Sequence, residues 1–351
     1  MLRPDTFALT ALLSLLTALG PLAVDMYLPS FPEIGRVLAA SPATVQLTLS
    51  LYMVSYAVGQ VIYGPMSDRY GRVPVLRAAL AIYCAASLAC AFAPDIEMLL
   101  TARMVQALGS SGAVVLARAV VRDLYSGARA GRELSLMAAI MALAPVLAPT
   151  IGGLLQSAFG WRSHFLLQIA FGLIAAYFVW CKLPETLKER TASISPRAIF
   201  SSYAEIARNR AVLAYVGMLA VSFAGVFAWI SGSSFVVQDI YGVSALSFAL
   251  AFAAASGGYL VGTTAATRIV LRLGLDRTIG VGAAALALGG LAAVVSVPLG
   301  GASPIALTAA MALYAVGMGL VQPQTMAGAM MPFPQQQHAP RGRMTALHPA
   351  E

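Results

Sequence analysis

Charged side chains are scarce in this sequence: Asp, Glu, Lys and Arg together make up 10% of its 351 residues. In a soluble domain, roughly a quarter of the residues are charged. Hydrophobic residues instead reach 59% here, and the mean hydropathy is +0.80. They form continuous runs of Leu, Ala, Val, Gly and Met, without the polar–apolar alternation of a transmembrane β-strand. The sequence therefore predicts an all-α polytopic membrane protein.

Cysteine and histidine are also few, with three of each. Cys84, Cys90 and Cys181 lie inside apolar runs and predict no disulfide framework. Neither they nor the histidines have the spacing of metal ligands, and no nucleophile–base pattern indicates an enzyme. Lys and Arg outnumber Asp and Glu by 22 to 14, but they form no continuous patch with aromatic residues. A metal, an organic cofactor and a nucleic-acid partner are therefore not expected.

Ten apolar stretches follow one another along the chain, each near the roughly 20 residues that a helix needs to cross a bilayer core. Their predicted limits are 7–27, 43–63, 75–93, 97–121, 134–158, 163–182, 212–232, 245–267, 278–298 and 304–330. The first stretch is too long for the apolar region of a signal peptide, and it is predicted to be a retained helix.

Basic residues are concentrated on one side of these spans. The connections after the second, fourth, sixth and eighth spans carry most of them, among them Arg69, Arg72, Arg129, Arg197 and Arg272. The connections on the other side carry few charges, and the one near residue 300 carries none. The positive-inside rule therefore predicts that the N-terminus and the basic loops lie in the cytoplasm.

The longest polar segment, residues 183–211, follows the sixth span. We interpret it as a cytoplasmic linker between an N-terminal six-helix unit, residues 1–182, and a second unit of about four helices, residues 212–330. Two parallel units of six spans are one known transporter plan. From residue 331 to residue 351 the chain is polar and rich in proline, and it predicts no further span.

The connection between the second and third spans carries Gly64, Asp68, Arg69, Gly71 and Arg72. Gly64 would let a helix end approach a neighbour closely, and Gly71 would permit a turn with positive φ. The carboxylate and the two guanidinium groups can form charge-assisted hydrogen bonds that hold two helix ends together. The alternative is a polar turn whose arginines serve only to set the topology.

These residues, together with Leu76, resemble the signature loop of the major facilitator superfamily, G-x-x-x-D-R-x-G-R-(+)-x-x-L, although Val73 stands at its basic position. Within the fourth span, the segment from Arg103 to Ala113 resembles the R-x-x-Q-G-x-x-x-A motif of the same superfamily. Gln106 matches the glutamine of the motif, and Ala107 stands in place of its glycine.

Two further segments carry a resemblance to one branch of that superfamily. The fifth span has Pro145, Pro149, Gly152 and Gly153 in a pattern that resembles the antiporter motif G-x-x-x-G-P-x-x-G-G. The segment Asp25-Met-Tyr-Leu-Pro-Ser-Phe-Pro, which closes the first span, is similar to the bicyclomycin/chloramphenicol-resistance (Bcr/CflA) drug:proton antiporters. The resemblance covers about residues 7 to 334 and then stops.

The resemblance implies a major facilitator fold, with a six-span N-terminal half and four spans of the C-terminal half. It implies proton-coupled efflux of drugs or other small amphipathic compounds across a bacterial inner membrane, by a monomer that uses protons as its coupling ion. Two alternatives stay open. One is an exporter of an endogenous metabolite. The other is a truncated or frameshifted product without transport activity, because the family has twelve spans.

Asp25 and Arg103 are ionisable residues within apolar runs, which predicts that each faces a wet cavity or a partner. Asp25 is the predicted binding site for a proton or a cationic drug, and Arg103 would tune it; an interfacial cap is the alternative for Asp25. Tyr27 and Gln106 are candidates for the cavity wall. The two prolines predict a bend in the fifth span, and Gly152 and Gly153 predict close packing on a neighbouring helix.

Overall fold

The computed structural model describes residues 6–187, 208–296 and 303–330, which are largely helical and contain no strand. The helices in these residues that are long and apolar enough to cross a membrane number ten: Phe7–Val37, Pro42–Tyr70, Arg72–Ala91, Ile96–Leu124, Gly127–Phe159, Arg162–Cys181, Arg210–Ile240, Ala245–Leu273, Leu275–Ser296 and Pro304–Ala329. All ten predicted spans are confirmed, and they are numbered first to tenth in this order.

Five spans extend beyond their predicted limits by six residues or more at one end: the first, the second, the fifth, the seventh and the eighth. The first, predicted to end at residue 27, consists of a helix Phe7–Asp25, a 3-10 turn Leu28–Ser30 and a short helix Phe31–Val37. The fifth begins at Gly127 rather than at residue 134, and the seventh continues through a π-helical turn, Val236–Ile240. Hydropathy falls where charged residues enter these extensions. Backbone hydrogen bonds continue the helix past that point, so hydropathy alone sets the limits too short.

Polar caps begin several spans at one end of the bundle. The Ser41 hydroxyl accepts a hydrogen bond from the backbone N–H of Thr44 at 3.2 Å, and Asp95 Oδ1 accepts one from the N–H of Met98 at 2.8 Å. Ser244 caps the eighth span in the same way. Such side chains satisfy backbone N–H groups that a helix start leaves without partners. We call this the predicted outer end, and the end with the basic connections the predicted inner end.

Packing among the spans is centred on two helices. The fourth span packs against the first, second and third, and the tenth packs against the seventh, eighth and ninth. The fifth and eighth spans pack against each other, and the first span also meets the seventh and eighth. The predicted unit boundary stays a prediction. Part of the linker, residues 188–207, and all of the predicted tail, residues 331–351, lie outside the described residues.

Large apolar side chains cover the outside of the bundle, among them Val54, Leu173, Leu213, Leu291 and Ile305. Their distribution over many helices differs from the single small apolar patch of a soluble monomer. Hydrocarbon is the solvent in which such a surface is stable, because every backbone polar group within a helix is already bonded internally. This surface therefore fits a lipid environment.

Candidate functional site

A cavity of about 560 Å³ lies between the first six and the last four spans. Its wall is mostly apolar, with aromatic rings and flexible methionines from both groups of spans. The aromatic and methionine side chains are Tyr52, Met53, Tyr56, Met141, Phe223, Trp229, Phe252, Tyr259, Met311, Tyr314, Met318 and Met326. Thioether side chains adapt their shape to varied ligands. Such a wall suits small molecules with an apolar body and few fixed polar groups.

The cavity extends from the middle of the bundle towards the predicted inner end. Asp25 and Val24 line its deep part, whereas Arg118, Pro323 and Met326 lie closer to the inner ends of the fourth and tenth spans. Contacts between the two groups of spans are found on the opposite side of the cavity, at the predicted outer end. The cavity is therefore enclosed towards the outer end and extends towards the inner one.

Two side chains of the seventh span form part of that outer contact. Ser234 donates a hydrogen bond from its hydroxyl to the Leu28 carbonyl at 2.7 Å, and Gln238 donates one to the Pro29 carbonyl at 3.1 Å. Both acceptors belong to the 3-10 turn of the first span. Ser30, the last residue of the same turn, is hydrogen-bonded to Gln156 of the fifth span and to His164 of the sixth. The turn that follows Asp25 is thus held from both sides.

Asp25 is the last residue of the helix Phe7–Asp25 and lies on the cavity wall, with 5% of its surface exposed. Within the described residues, no side chain or backbone donor forms a hydrogen bond to its carboxylate. Placing a charged group within a membrane costs about 2.5–3.5 kcal/mol on insertion scales. A carboxylate in such a place can bind a proton or a cation, and it gains stability from either.

Arg103 is fully buried behind the same wall. Its Nη1 donates to the Ala23 carbonyl at 2.9 Å and to Gln106 Oε1 at 2.6 Å. The guanidinium carbon lies 4.2 Å from the centroid of the Tyr52 ring and 4.7 Å from that of Tyr27. The ion pairs within the described residues join other side chains, so Arg103 and Asp25 are not directly paired. Arg103 instead reaches the backbone two residues before Asp25.

Tyr27 and Gln106, predicted to line the cavity, are not part of its wall. Tyr27 is completely buried, and its hydroxyl lies 3.1 Å from the Thr48 hydroxyl. Gln106 donates from Nε2 to the Ser87 hydroxyl and to Gln168 Oε1, both at 2.7 Å. The prediction was wrong because both side chains point into a polar cluster around Arg103. That cluster lies behind the wall rather than on it.

Tyr52 connects this cluster to the cavity. Its ring lines the cavity and also packs on the Arg103 guanidinium, and its hydroxyl lies 2.7 Å from the Ser110 hydroxyl. A change in the position of Arg103 would therefore move part of the cavity wall.

The connection between the second and third spans is organised around Arg72. Its Nη1 lies 2.7 Å from Asp68 Oδ1, and its Nε lies 2.8 Å from Asp123 Oδ2 at the end of the fourth span. Gly71 precedes it with φ at +103°, a conformation that favours glycine. The Arg69 guanidinium lies over the Tyr70 ring, 5.3 Å from its centroid. The charge-assisted contacts expected here thus join the second, third and fourth spans.

Gly64 does not make the close approach predicted for it. A Cβ atom built at this position would meet no atom of the described residues within 4 Å. The second span faces open space here, because the contacts of the connection are made further along by Arg72. The sequence motif identifies Gly64, but it does not show whether this glycine lies on the side of the helix that faces a neighbouring span.

Glu185, which follows the sixth span, completes this cluster. Its Oε1 accepts a hydrogen bond from the backbone N–H of Arg72 at 2.9 Å, and its Oε2 accepts one from that of Val73 at 3.2 Å. These are the first N–H groups of the third span, where a negative charge is favourable. The carboxylate therefore caps a helix from a segment more than 100 residues away in sequence.

A Glu185→Ala variant is expected to lower the free energy of unfolding by about 1–3 kcal/mol, because two backbone donors lose a charged acceptor. The measurement is unfolding by increasing SDS in mixed detergent micelles. Glu97→Ala is the matched control. Glu97 is an exposed carboxylate in the first turn of the fourth span, and its loss should change the stability by less than about 0.5 kcal/mol. Equal effects of the two substitutions would refute the capping role.

The fifth span brings its predicted motif to the cavity wall and to contacts with the first and eighth spans. Pro145 lines the cavity and Pro149 is buried. A Cβ atom at Gly152 would overlap the Met26 carbonyl, and one at Gly153 would lie 2.7 Å from Ala249 Cβ of the eighth span. Both glycines therefore stand at close helix contacts. The helix itself continues from Gly127 to Phe159 through both prolines, and the bend stays a prediction.

Comparison with known proteins gives the class to which this architecture belongs. The family described as Major Facilitator Superfamily matches residues 13–347. The chain belongs to this superfamily, whose members are membrane transporters rather than enzymes, and the ten long apolar helices of its described residues are those of a multi-pass membrane protein. The match continues beyond residue 334, where the sequence resemblance was predicted to end, so that limit was set too early.

Relatives confirm the predicted branch of the superfamily. The chain is 37% identical over 266 residues to an uncharacterized MFS-type transporter, YdgK, of Bacillus subtilis, covering 74% of this chain and 66% of that protein. It is 33% identical to the bicyclomycin resistance protein homolog of Haemophilus influenzae, covering 71% and 63%. It is 30% identical to the chloramphenicol resistance protein of Pseudomonas aeruginosa, covering 93% and 74%. The chain thus spans just under two thirds of the length of the first two relatives.

Solved structures agree on the fold. A bacterial homolog of the human lysosomal transporter Spinster, crystallised in an inward-facing and occupied conformation, superposes with a TM-score of 0.72 at 17% identity. That comparison covers 93% of this chain and 74% of the other. The xylose transporter XylE of Escherichia coli, in a partially occluded inward-open conformation, gives 0.70 at 14% identity, with 92% and 86% covered.

Proposed function

We propose that this chain exports drugs or other small amphipathic compounds across a bacterial inner membrane in exchange for protons. The observation that carries the proposal is the Asp25 carboxylate, which lies on the wall of a large apolar cavity and has no hydrogen-bond donor among the described residues. The aromatic and thioether wall accepts apolar bodies of varied shape. The relatives named for bicyclomycin and chloramphenicol resistance support this substrate class.

Exchange follows from competition for one carboxylate. A proton and a cationic substrate cannot both neutralise Asp25, so binding of one releases the other. Alternating access would then expose the cavity first to the predicted inner end and then to the outer end, by rocking of the two groups of spans. The N-terminus lies in the cytoplasm in this proposal, as the basic loops predict. The chain acts as a monomer, with no cofactor besides the proton.

Reconstituted vesicles test the proposal. The probe is a dansyl fluorophore that carries a trimethylammonium group, because its permanent charge prevents passive trapping by pH. Vesicles with an acidic lumen, and with the membrane potential clamped at zero by potassium and valinomycin, are expected to accumulate the probe. A protonophore should abolish the accumulation. Accumulation equal to that of protein-free vesicles, or unaffected by the protonophore, would overturn the proposal.

A further inference from the structure

The cavity wall carries a second charge that proton exchange at Asp25 does not use. Arg118 of the fourth span is exposed and lines the cavity. The contact described for its guanidinium is to a weak acceptor: Nη2 lies 3.2 Å from the Met141 thioether. In the part of the chain that the structure describes, the ion pairs are those of Arg72 with Asp68 and Asp123. Arg118 therefore faces the cavity without a carboxylate partner.

A guanidinium in such a wall needs acceptors. It has five N–H donors in a planar fork, and it stays protonated at every physiological pH. The lining residues around it are mostly apolar and offer few oxygen atoms. Water in the open cavity can occupy these donors, but a carboxylate, phosphonate or sulfonate forms two parallel charge-assisted hydrogen bonds with the fork. The best-matched ligand group at this position is therefore an anion.

Arg118 and Asp25 lie at different depths. Arg118 is 15 residues after Arg103 in one continuous helix, which corresponds to about 22 Å of helix rise. Arg103 donates a hydrogen bond to the carbonyl of Ala23, two residues before Asp25. The positive charge thus lies towards the predicted inner end of the cavity, and the negative charge lies deeper. Apolar and aromatic side chains line the wall between them.

We propose that Arg118 is a specificity-determining residue that binds the acidic group of the substrate. The substrates then include aromatic compounds with one acidic group, and zwitterions whose cationic end reaches Asp25, in addition to simple cations. This inference rests on the proposal that the cavity is the substrate site. It assigns a role to a charge that the exchange at Asp25 leaves unexplained.

Three probes on one fluorophore test the inference: dansylglycine, its methyl ester and the dansyl trimethylammonium compound. Binding to the purified full chain is followed by dansyl emission, in nanodiscs of phosphatidylcholine, so that no anionic lipid competes. The wild type should bind dansylglycine about 10- to 100-fold more tightly than the neutral ester, the range expected for hydrogen bonds to a charged group. Arg118→Gln should lose this preference and leave the binding of the ester unchanged.

Two further variants make the outcome decisive. Arg118→Lys keeps the charge but not the planar fork, and it should retain part of the preference. Arg272→Gln removes an exposed arginine outside the cavity wall and should behave as the wild type. Equal loss of dansylglycine and ester binding in Arg118→Gln would mean that Arg118 only shapes the cavity, and it would overturn the inference. Failure of the proposed exchange appears separately, in the vesicle assay with the ammonium probe.

Discussion

An Asp25→Asn variant is expected to lose proton-driven transport down to the level of protein-free vesicles, while it keeps its fold. Asparagine matches the size of the carboxylic acid, but it neither releases a proton nor carries a charge. Asp25 lies on the cavity wall with no hydrogen-bond donor among the described residues, so the substitution breaks no contact that the fold requires. Removing a buried charge also removes its desolvation cost of about 2.5–3.5 kcal/mol.

Binding and transport should separate in this variant. Affinity for the dansyl trimethylammonium probe should fall about 10- to 100-fold, because the cation loses its charged partner. Affinity for the neutral methyl ester should stay unchanged, since the apolar wall is intact. The two measurements together distinguish loss of the coupling group from collapse of the cavity.

Asp239→Asn is the matched control, because it makes the same chemical change at an exposed carboxylate outside the cavity wall. It should transport as the wild type does. If Asp25→Asn still accumulates the probe under a pH gradient, and a protonophore still abolishes the accumulation, then Asp25 is not the coupling group.

The fold was largely predictable because each span must satisfy a single physical requirement. A helix that crosses hydrocarbon needs an apolar run of sufficient length, and ten such runs are visible in the sequence. The helix ends were less predictable, as the first span shows. It continues through Leu28–Ser30 and Phe31–Val37, beyond the point where hydropathy falls. Backbone hydrogen bonding decides where a helix ends, whereas hydropathy indicates only where the apolar, lipid-facing part of the helix ends.

Asp25 and Arg103 could be identified because an ionisable residue in an apolar run is costly unless it faces a wet cavity or a partner. Arg118 satisfies the same rule, but it lies four residues before Arg122 and near the end of its span. Arginines near the ends of spans are attributed to topology, so the sequence does not separate a cavity arginine from a topogenic one. Its position on the cavity wall became evident only from the packing of the fourth span against the others.

Tyr27 and Gln106 were assigned to the wrong surface for a reason of helix geometry. Each residue turns the helix by about 100°, so Tyr27 points almost opposite to Asp25 two positions earlier. Gln106 follows Arg103 by three positions and therefore shares its face. That face turns towards Ser87 and Gln168 rather than towards the cavity. Sequence spacing gives the relative directions of side chains, but not which face meets the cavity.

The partners of Arg72 could not be found from local sequence. Asp123 and Glu185 lie 51 and 113 residues away from it. Only the packing of the third span against the fourth and the sixth brings these carboxylates to one guanidinium and one helix start. The signature loop therefore predicts that hydrogen bonds form here, whereas the fold decides which carboxylates accept them.

An Arg103→Met variant is expected to lose transport to the level of protein-free vesicles, with a free energy of unfolding within about 2 kcal/mol of the wild type. Transport is lost because the guanidinium holds both the Ala23 carbonyl, beside Asp25, and the Tyr52 ring on the cavity wall. Without it, the carboxylate and the wall lose their fixed positions. Transport of the dansyl trimethylammonium probe in vesicles measures this loss.

Stability should be kept because opposing effects nearly cancel. The buried guanidinium has no carboxylate partner in the described residues, and its Nε and Nη2 atoms lack hydrogen-bond acceptors there. Removing such a charge relieves a desolvation cost of several kcal/mol. The variant loses cation–π contacts with two rings, each worth about 2 kcal/mol when desolvated, and its hydrogen bonds. Methionine fills much of the space with a flexible apolar side chain.

Arg103→Ala provides the contrast, because it removes the same charge but leaves a void that should cost about 2–5 kcal/mol. Both variants should fail to transport, and only the alanine variant should unfold more readily in SDS–detergent mixtures. A methionine variant that transports as the wild type does would refute the role in transport. A methionine variant as unstable as the alanine variant would show instead that Arg103 serves the fold, because lost contacts rather than lost volume would then dominate.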